Sequence, residues 1–302
     1  MPSAVPPRPP APPAPAELHA RVLPWYAEHA RTLPWRDPDC SPWGVLVSEV
    51  MLQQTPVARV EQVWREWLRR WPTPPDLAAE PAGEAVRAWG RLGYPRRALR
   101  LHAAATAITE RFDGQVPATP EELRSLPGVG EYTAAAVGAF AFGVRAVVLD
   151  TNVRRVLARA CGGTGQGAPS LTAAERRLAE GVLPHDPATS ATWNVAVMEL
   201  GALVCTARNP RCADCPLAPV CRWALAGHPA YDGPVRAPQR WQGTDRQCRG
   251  LLVDRVRSGT GPVPAADLAP VWPDAAQRDR CLASLLEDGL LEQVPGGYAF
   301  PA

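Results

Sequence analysis

Six residues have types and spacings that could do chemistry: Glu49, Asp150 and four clustered cysteines, Cys205, Cys212, Cys215 and Cys221. Glu49 lies in the stretch 42–54, PWGVLVSEVMLQQ, with Val45 and Leu46 before it and Val50 and Leu52 after it at helical spacing. A carboxyl buried among such residues, with no cation close by, has its charged form disfavoured and holds a proton near neutral pH. Pairing with an arginine such as Arg36 is the plainer alternative. Asp150 stands just before the helical pattern VRRVLARA. That is an N-cap position, where donated N–H groups keep a carboxylate ionised. As a bare cap, Asp150 would need no other role. Taken together, one carboxyl is placed to give a proton and the other to stay an anion. The pair suits glycosidic bond cleavage, in which an acid assists the leaving group and an anion stabilises an oxocarbenium-like sugar.

The cysteine run has the form Cys205-x6-Cys212-x2-Cys215-x5-Cys221. Four thiolates this close can close around one metal centre. The first gap is longer than that of a short zinc knuckle, which favours an iron–sulfur cluster over tetrahedral zinc. Disulfides do not suit a cytoplasmic chain. Arg208, Arg211 and Arg222 flank the run and would bring positive charge toward phosphates. Cys40, Cys161, Cys248 and Cys281 show no ligand spacing and read as small apolar residues. None of the five histidines falls at metal-ligand spacing near these motifs.

The elements that position these groups read as helices. Residues 120–158 run helix, LPGVG turn (126–130), apolar helix, then the Asp150-capped helix. Gly128 and Gly130 permit a tight turn, and the turn opens onto a helix N-terminus that favours an anion such as phosphate. Other helical patterns cover 18–26, 42–54, 57–71, 85–92, 97–112, 172–183 and 190–203. Arg96, Arg97 and Arg100 share one helix as a basic patch, read as a solvated face unless that helix meets DNA. The main body is therefore all-α. The predicted organisation is a disordered proline-rich tail (1–16), a lobe of 17–37 with 145–221 carrying the cysteines, a six-helix lobe (38–144), a linker (222–243) and a small module (244–302). In that module, helices at 246–256 and 275–288 and a hairpin around Pro295-Gly296-Gly297 suggest a winged-helix-like α/β unit.

The formal charge of the 302 residues is only +2 and decides little about partners. All basic residues counted are arginine, so the sequence offers no side-chain amine. No apolar run approaches the roughly 18 residues of a membrane span, and the N-terminus lacks a signal-peptide pattern. A cytoplasmic protein is predicted.

These segments resemble the helix-hairpin-helix DNA glycosylases, and within them the MutY-type adenine glycosylases, over about 18–221. The matching pieces are LPWR (33–36), SEVMLQQT (48–55), LGY (92–94), LPGVGEYTA (126–134), LDTNVRRVLAR (149–159), ELGALVC (199–205) and the four-cysteine loop. The resemblance implies a two-lobed fold and excision of adenine opposite 8-oxoguanine or guanine in duplex DNA, by a monomer associated with the nucleoid. It implies Glu49 as general acid and Asp150 as the oxocarbenium stabiliser, with Tyr132 and Asn152 in support. Trp35 and Arg36 would line the adenine pocket. Leu52, Gln54 and Tyr94 would form the wedge that enters the duplex, and the Gly128–Gly130 turn would bind phosphate. The four cysteines would hold a [4Fe–4S] cluster. Base extrusion fits this scheme, because the N-glycosidic bond is out of reach inside a stacked duplex. Tyr132 stands where lyase-active relatives carry a lysine, so no Schiff base is expected. The sequence departs from the family at Pro95, where a second aromatic often follows LGY, and in having a small C-terminal module instead of a larger β-rich domain. The competing readings are a T·G, U·G or oxidised-pyrimidine glycosylase on the same scaffold, and a non-catalytic iron–sulfur protein that binds DNA or senses redox state.

Overall fold

The computed structural model describes residues 11–234 and 240–302. The first ten residues of the predicted tail, and 235–239 of the predicted linker, lie outside the described residues. The described chain divides into two units, one holding residues up to 32 with 135–234, the other 33–134 with 240–302.

Helix α1 (Pro15–His29) opens the first unit. Pro15 takes the first helical position, where its missing N–H has no partner to lose, so the helix starts inside the stretch read as tail. The second unit follows with a 3₁₀ turn (Pro34–Arg36), α2 (Pro42–Met51), α3 (Val57–Arg70), α4 (Pro74–Ala78), α5 (Ala82–Ala88), α6 (Arg96–Arg111) and α7 (Pro120–Arg124). The division falls inside α8 (Glu131–Phe142). The first unit resumes with α9 (Thr151–Leu157), a π-helical turn (Ala158–Gly162), α10 (Ala173–Val182), α11 (Pro187–Leu203) and α12 (Arg222–Leu225). The second closes with α13 (Asp245–Arg257), α14 (Ala265–Leu268), α15 (Ala275–Glu287) and the strands β1 (Glu292–Val294) and β2 (Gly297–Ala299).

Within the first unit, Leu18 and Val22 of α1 pack with Val153 and Val156 of α9 and Val197 and Leu200 of α11. A buried ion pair ties the same elements. Glu199, fully buried, accepts from the Arg31 side chain at 2.7 and 2.8 Å and from its backbone N–H at 3.1 Å. The second unit centres on Trp67, Trp71 and Trp89, all essentially buried, with ring centroids 4.7 and 5.7 Å apart in edge-to-face contact. Such pairs add roughly 0.5–1.5 kcal/mol each beyond the area they bury.

The architecture is mostly helical and falls into two units, as the sequence implies, with a small strand pair at the end. Three details depart from the expectation. Helix α2 stops at Met51 instead of running to Gln54, for a reason given below. Residues 222–225 of the predicted linker are helical, and Trp223 packs against the first unit's core. In the C-terminal module the expected hairpin forms, β1 and β2 pairing antiparallel (Glu292 opposite Ala299), and the departure is an isolated bridge that Val263 adds to Tyr298.

Candidate functional site

Helix α2 is buried from Trp43 to Met51, so Glu49 sits in apolar surroundings at 7% exposure. Its start is fixed by Ser41, whose hydroxyl accepts the Gly44 N–H, and by indole N–H bonds from Trp64 to Gly44 O and from Trp43 to Trp71 O. The 3₁₀ turn packs against the same helix. Its Trp35 is buried edge-on to Trp64 at 5.8 Å, and Arg36 beside it is half-buried.

The loop after α2 is built around one arginine. Arg97 is buried on α6, not on a solvated or DNA-facing surface. Its guanidinium donates to the carbonyls of Val50 (2.9 Å), Met51 (3.1 Å), Gln53 (2.6 Å) and Gly93 (2.9 Å), and to the Thr55 hydroxyl (3.1 Å). Thr55 in turn donates to Leu92 O. Residues 52–55 and 92–94 are thereby stitched together. With its carbonyls taken and Pro56 disfavouring helical backbone at Thr55, α2 cannot continue. Gln54 and Tyr94 both adopt left-handed backbone, at φ 56° and 50°. Positions so strained persist only where their surroundings dictate them. Gln54 is exposed, Tyr94 is 40% exposed and Leu52 is half-buried. Burial lowers the Arg97 pKa to about 10, against a smaller opposing influence of Tyr94. The basic patch therefore splits three ways: Arg97 turns inward, Arg96 pairs with Asp288 at 3.2 Å, and Arg100 lies along the hairpin turn.

In that turn Gly128 has φ 77°, and a side chain there would meet the Arg100 Cβ at 2.7 Å. A glycine is required by both conformation and space. Gly130 faces open space ahead of α8. Gln53 reaches across to the Thr133 hydroxyl at 3.4 Å, coupling the loop after α2 to the start of α8, where Tyr132 is half-buried.

Asp150 belongs to the other unit, where it caps α9 as the sequence predicts. One carboxylate oxygen accepts the Val153 N–H at 2.7 Å and the other the Asn152 amide at 2.6 Å. Arg155 donates to the Asn152 side-chain amide oxygen, Oδ1, at 2.8 Å and also to Gly201 O. Gly201 lets α11 approach so closely that any side chain there would lie 2.6 Å from the Asn152 Cβ. The expectation that capping alone keeps this carboxylate ionised needs correction. Burial raises its pKa by more than the Val153 and Asn152 bonds and Arg155 lower it.

Cys205, Cys212, Cys215 and Cys221 follow α11 as free thiols. Among the described residues no group of three or more such side chains already has metal-coordinating geometry. The four are nonetheless near neighbours. Burial, chiefly, and the adjacent thiols push Cys215 up to about 12 and raise Cys212 and Cys221 as well. A bound cationic centre reverses that penalty, because coordination deprotonates a thiol outright. The loop also carries its own counter-charge. Arg159 is buried, donates to Cys205 Sγ at 3.3 Å and to the carbonyls of Gly165, Thr206 and Ala207, and stacks on Trp223 at 4.5 Å. Arg155 donates to Cys205 O. A cluster held by four thiolates carries net negative charge, and these arginines fit that donor set.

Motifs of acids and thiols do not mark Arg155, Arg159 or Glu199, and they leave Arg97 in a patch that reads as solvated. The only signal available was helical spacing, Arg155 and Arg159 falling four residues apart in VRRVLAR.

Comparison with known proteins agrees with these features. Residues 47–182 match the HhH-GPD superfamily of base excision DNA repair proteins, and residues 205–221 match the iron–sulfur binding domain of endonuclease III. The fold is thus that of a helix-hairpin-helix DNA glycosylase with an iron–sulfur domain. The chain is 51% identical over 283 residues to the adenine DNA glycosylase of Mycobacterium tuberculosis, covering 93% of this chain and 92% of that protein. It is 52% identical over 278 residues to that of Mycolicibacterium smegmatis, covering 91% and 93%. A solved thermostable thymine-DNA glycosylase is similar at TM-score 0.62 and 26% identity, over 70% of this chain and 96% of that one. The chain belongs to the adenine DNA glycosylase family. Alignments this long take in most of the C-terminal module, so a module of this size is shared with the mycobacterial relatives.

Proposed function

We propose that this enzyme hydrolyses the N-glycosidic bond of adenine mispaired with 8-oxoguanine or guanine in duplex DNA. The observation that carries the reading is Glu49, a carboxyl at 7% exposure inside an apolar helix, in a chain whose near full-length relatives are adenine DNA glycosylases. Glu49 protonates the extruded adenine, making the base a leaving group. The Asp150 carboxylate, desolvated and oriented by Val153 N–H and Asn152, stabilises the positive sugar more strongly than a solvated anion would. Tyr132 and Asn152 support the site, and Trp35 and Arg36 shape the adenine pocket. Leu52, Gln54 and Tyr94 enter the duplex, while the Gly128–Gly130 turn and the N-terminus of α8 hold a backbone phosphate. Cys205, Cys212, Cys215 and Cys221 hold a [4Fe–4S] cluster, which when bound orders the loop and its arginines. The protein works as a monomer in the cytoplasm, on the nucleoid. Among the described residues no helix is long and apolar enough to cross a membrane.

The reaction ends at base release. A phenol at Tyr132 cannot form an imine, the sequence has no lysine, and guanidinium groups stay protonated. The test is a base-release assay on A·8-oxoG, A·G, A·C, T·G and U·G duplexes, with a borohydride arm. Adenine release from the first two, with no borohydride-trapped protein–DNA adduct, is the expected result. Thymine or uracil release in its place would establish the pyrimidine reading, and efficient trapping would refute the monofunctional one.

A further inference from the structure

The C-terminal module presents two carboxylates to the rest of the second unit, and each is shared in the same way. Asp254 of α13 pairs with Arg257 of its own helix and with Arg91 at 3.0 Å. Asp288, at the end of α15, pairs with Arg249 of α13 at 2.5 Å and with Arg96 at 3.2 Å. The inner arginines are enclosed. Arg249 and Arg257 are half-buried, and Arg249 also donates to the Ser284 hydroxyl. The outer two are not: side-chain exposure is 83% for Arg91 and 54% for Arg96.

The outer arginines bracket one short segment, LGYP (92–95), whose Gly93 carbonyl is held by Arg97. Arg96 opens α6, and one turn further along the exposed Arg100 lies against the hairpin turn at Gly128. Positive charge therefore runs along this edge from the module to the hairpin. The module does not depend on the outer pairs for its seat. Arg87 donates to the carbonyls of Arg257 (2.8 Å) and Gly259 (3.3 Å), and the Gly83 N–H donates to Pro301 O at 2.8 Å. Exposed ion pairs stabilise little, because water screens them and two long side chains must be ordered. Arg91 and Arg96 can leave cheaply. Each aspartate then keeps its inner arginine, so no carboxylate is stranded.

We propose that Arg91 and Arg96 are contacts for the phosphate backbone of the duplex, and that Asp254 and Asp288 hold their side chains in waiting until phosphates replace the carboxylates. This rests on the reading above that the duplex is entered at Leu52, Gln54 and Tyr94. The exchange gives each guanidinium one anion for another, and its planar fork fits two phosphate oxygens as well as two carboxylate oxygens. Counterions released from the duplex drive it. Such contacts set register on the duplex and carry no base sequence.

The experiment measures affinity for a fully paired duplex over a salt series, with adenine release from an A·G duplex as a separate readout. The variants are Arg91→Ala, Arg96→Ala, Asp254→Asn, Asp288→Asn, and the doubles Asp254→Asn with Arg91→Ala and Asp288→Asn with Arg96→Ala. Each arginine variant lowers the slope of log affinity against log salt by about 0.9. Between about 50 and 200 mM salt, wild type thus loses about 3.5-fold more affinity than either variant. Each asparagine variant binds more tightly than wild type, and the gain disappears in its double, which ties it to the arginine released. Wild-type slopes in both arginine variants overturn the proposal. So does weaker binding by an asparagine variant that melts at the wild-type temperature; where one melts lower, the arginine slopes decide. Wild type that releases adenine while both arginine variants keep its slope overturns this proposal alone. Wild type that binds with these slope changes but releases no adenine overturns the excision reading alone, and wild type that binds no duplex overturns both.

Discussion

Two loops in this protein are each organised around a buried arginine, and they differ in what that arginine is for. Arg97 donates only to neutral oxygens, four carbonyls and one hydroxyl, and holds backbone at Gln54 and Tyr94 in a strained form. Arg159 donates to carbonyls as well, but also to the sulfur of Cys205, beside three further thiols. The first is a device for shape. The second combines shape with charge compensation for a negative centre. A buried cation is costly in either place, and each loop returns that cost in a different form: rigidity in the paired loops around Gln54 and Tyr94, and positive charge beside the four cysteines.

The comparison breaks most readily at Arg97. Arg97→Met keeps the stem and removes every donor, leaving several buried carbonyls without partners at roughly 1–3 kcal/mol each. We expect a loss of about 3–5 kcal/mol of stability in urea unfolding, together with at least tenfold slower base release at a temperature where the variant is folded. Stability within about 0.5 kcal/mol of wild type would show that Arg97 does not hold the loops. Arg159→Met should act on the other function. Iron per purified chain should fall, and iron release to a chelator should quicken several-fold, with a smaller effect on base release. Unchanged iron retention would remove the charge-compensation half of the comparison.

The smallest effect on stability is expected at Asp150, where capping and charge can be separated. Asparagine still caps a helix but carries no charge. The folded-state pKa of Asp150 is raised by burial, so the ionised carboxylate destabilises the fold above both its pKa values. That penalty fades as pH falls toward the unfolded-state value of about 3.9. Asp150→Asn should therefore melt higher than wild type at neutral pH and equally below about pH 4, while losing turnover. A lower melting temperature at neutral pH would mean that Asp150 is held there for stability.

Much of this was legible in the sequence. The burial of Glu49 followed from four apolar neighbours at helical spacing, and the cap at Asp150 from its place before VRRVLA. The spacing of the four cysteines favoured an iron–sulfur domain over zinc. What escaped is tertiary. Nothing in RLGYPRRALRL says that Arg97 turns inward to collect carbonyls from a loop more than 40 residues earlier. LQQT continues the helical pattern, so the sequence marks a stop only at Pro56, and it is the donors of Arg97 that end α2 earlier, at Met51. The glutamate in ELGALVC looks like a surface residue until Arg31, 168 positions away, is seen to hold it buried. Local pattern reports which faces are apolar, but not which polar groups are spent across the fold.

Glu49 remains the centre of the account, and one substitution addresses it. Glu49→Gln preserves size and hydrogen bonding at a residue 7% exposed, and removes only the ability to deliver a proton. Single-turnover adenine release from an A·8-oxoG duplex should fall by about 10²–10⁴-fold, as for the loss of a general acid, with duplex affinity retained. Release at the wild-type rate would contradict the assignment of Glu49 as the acid that makes adenine leave.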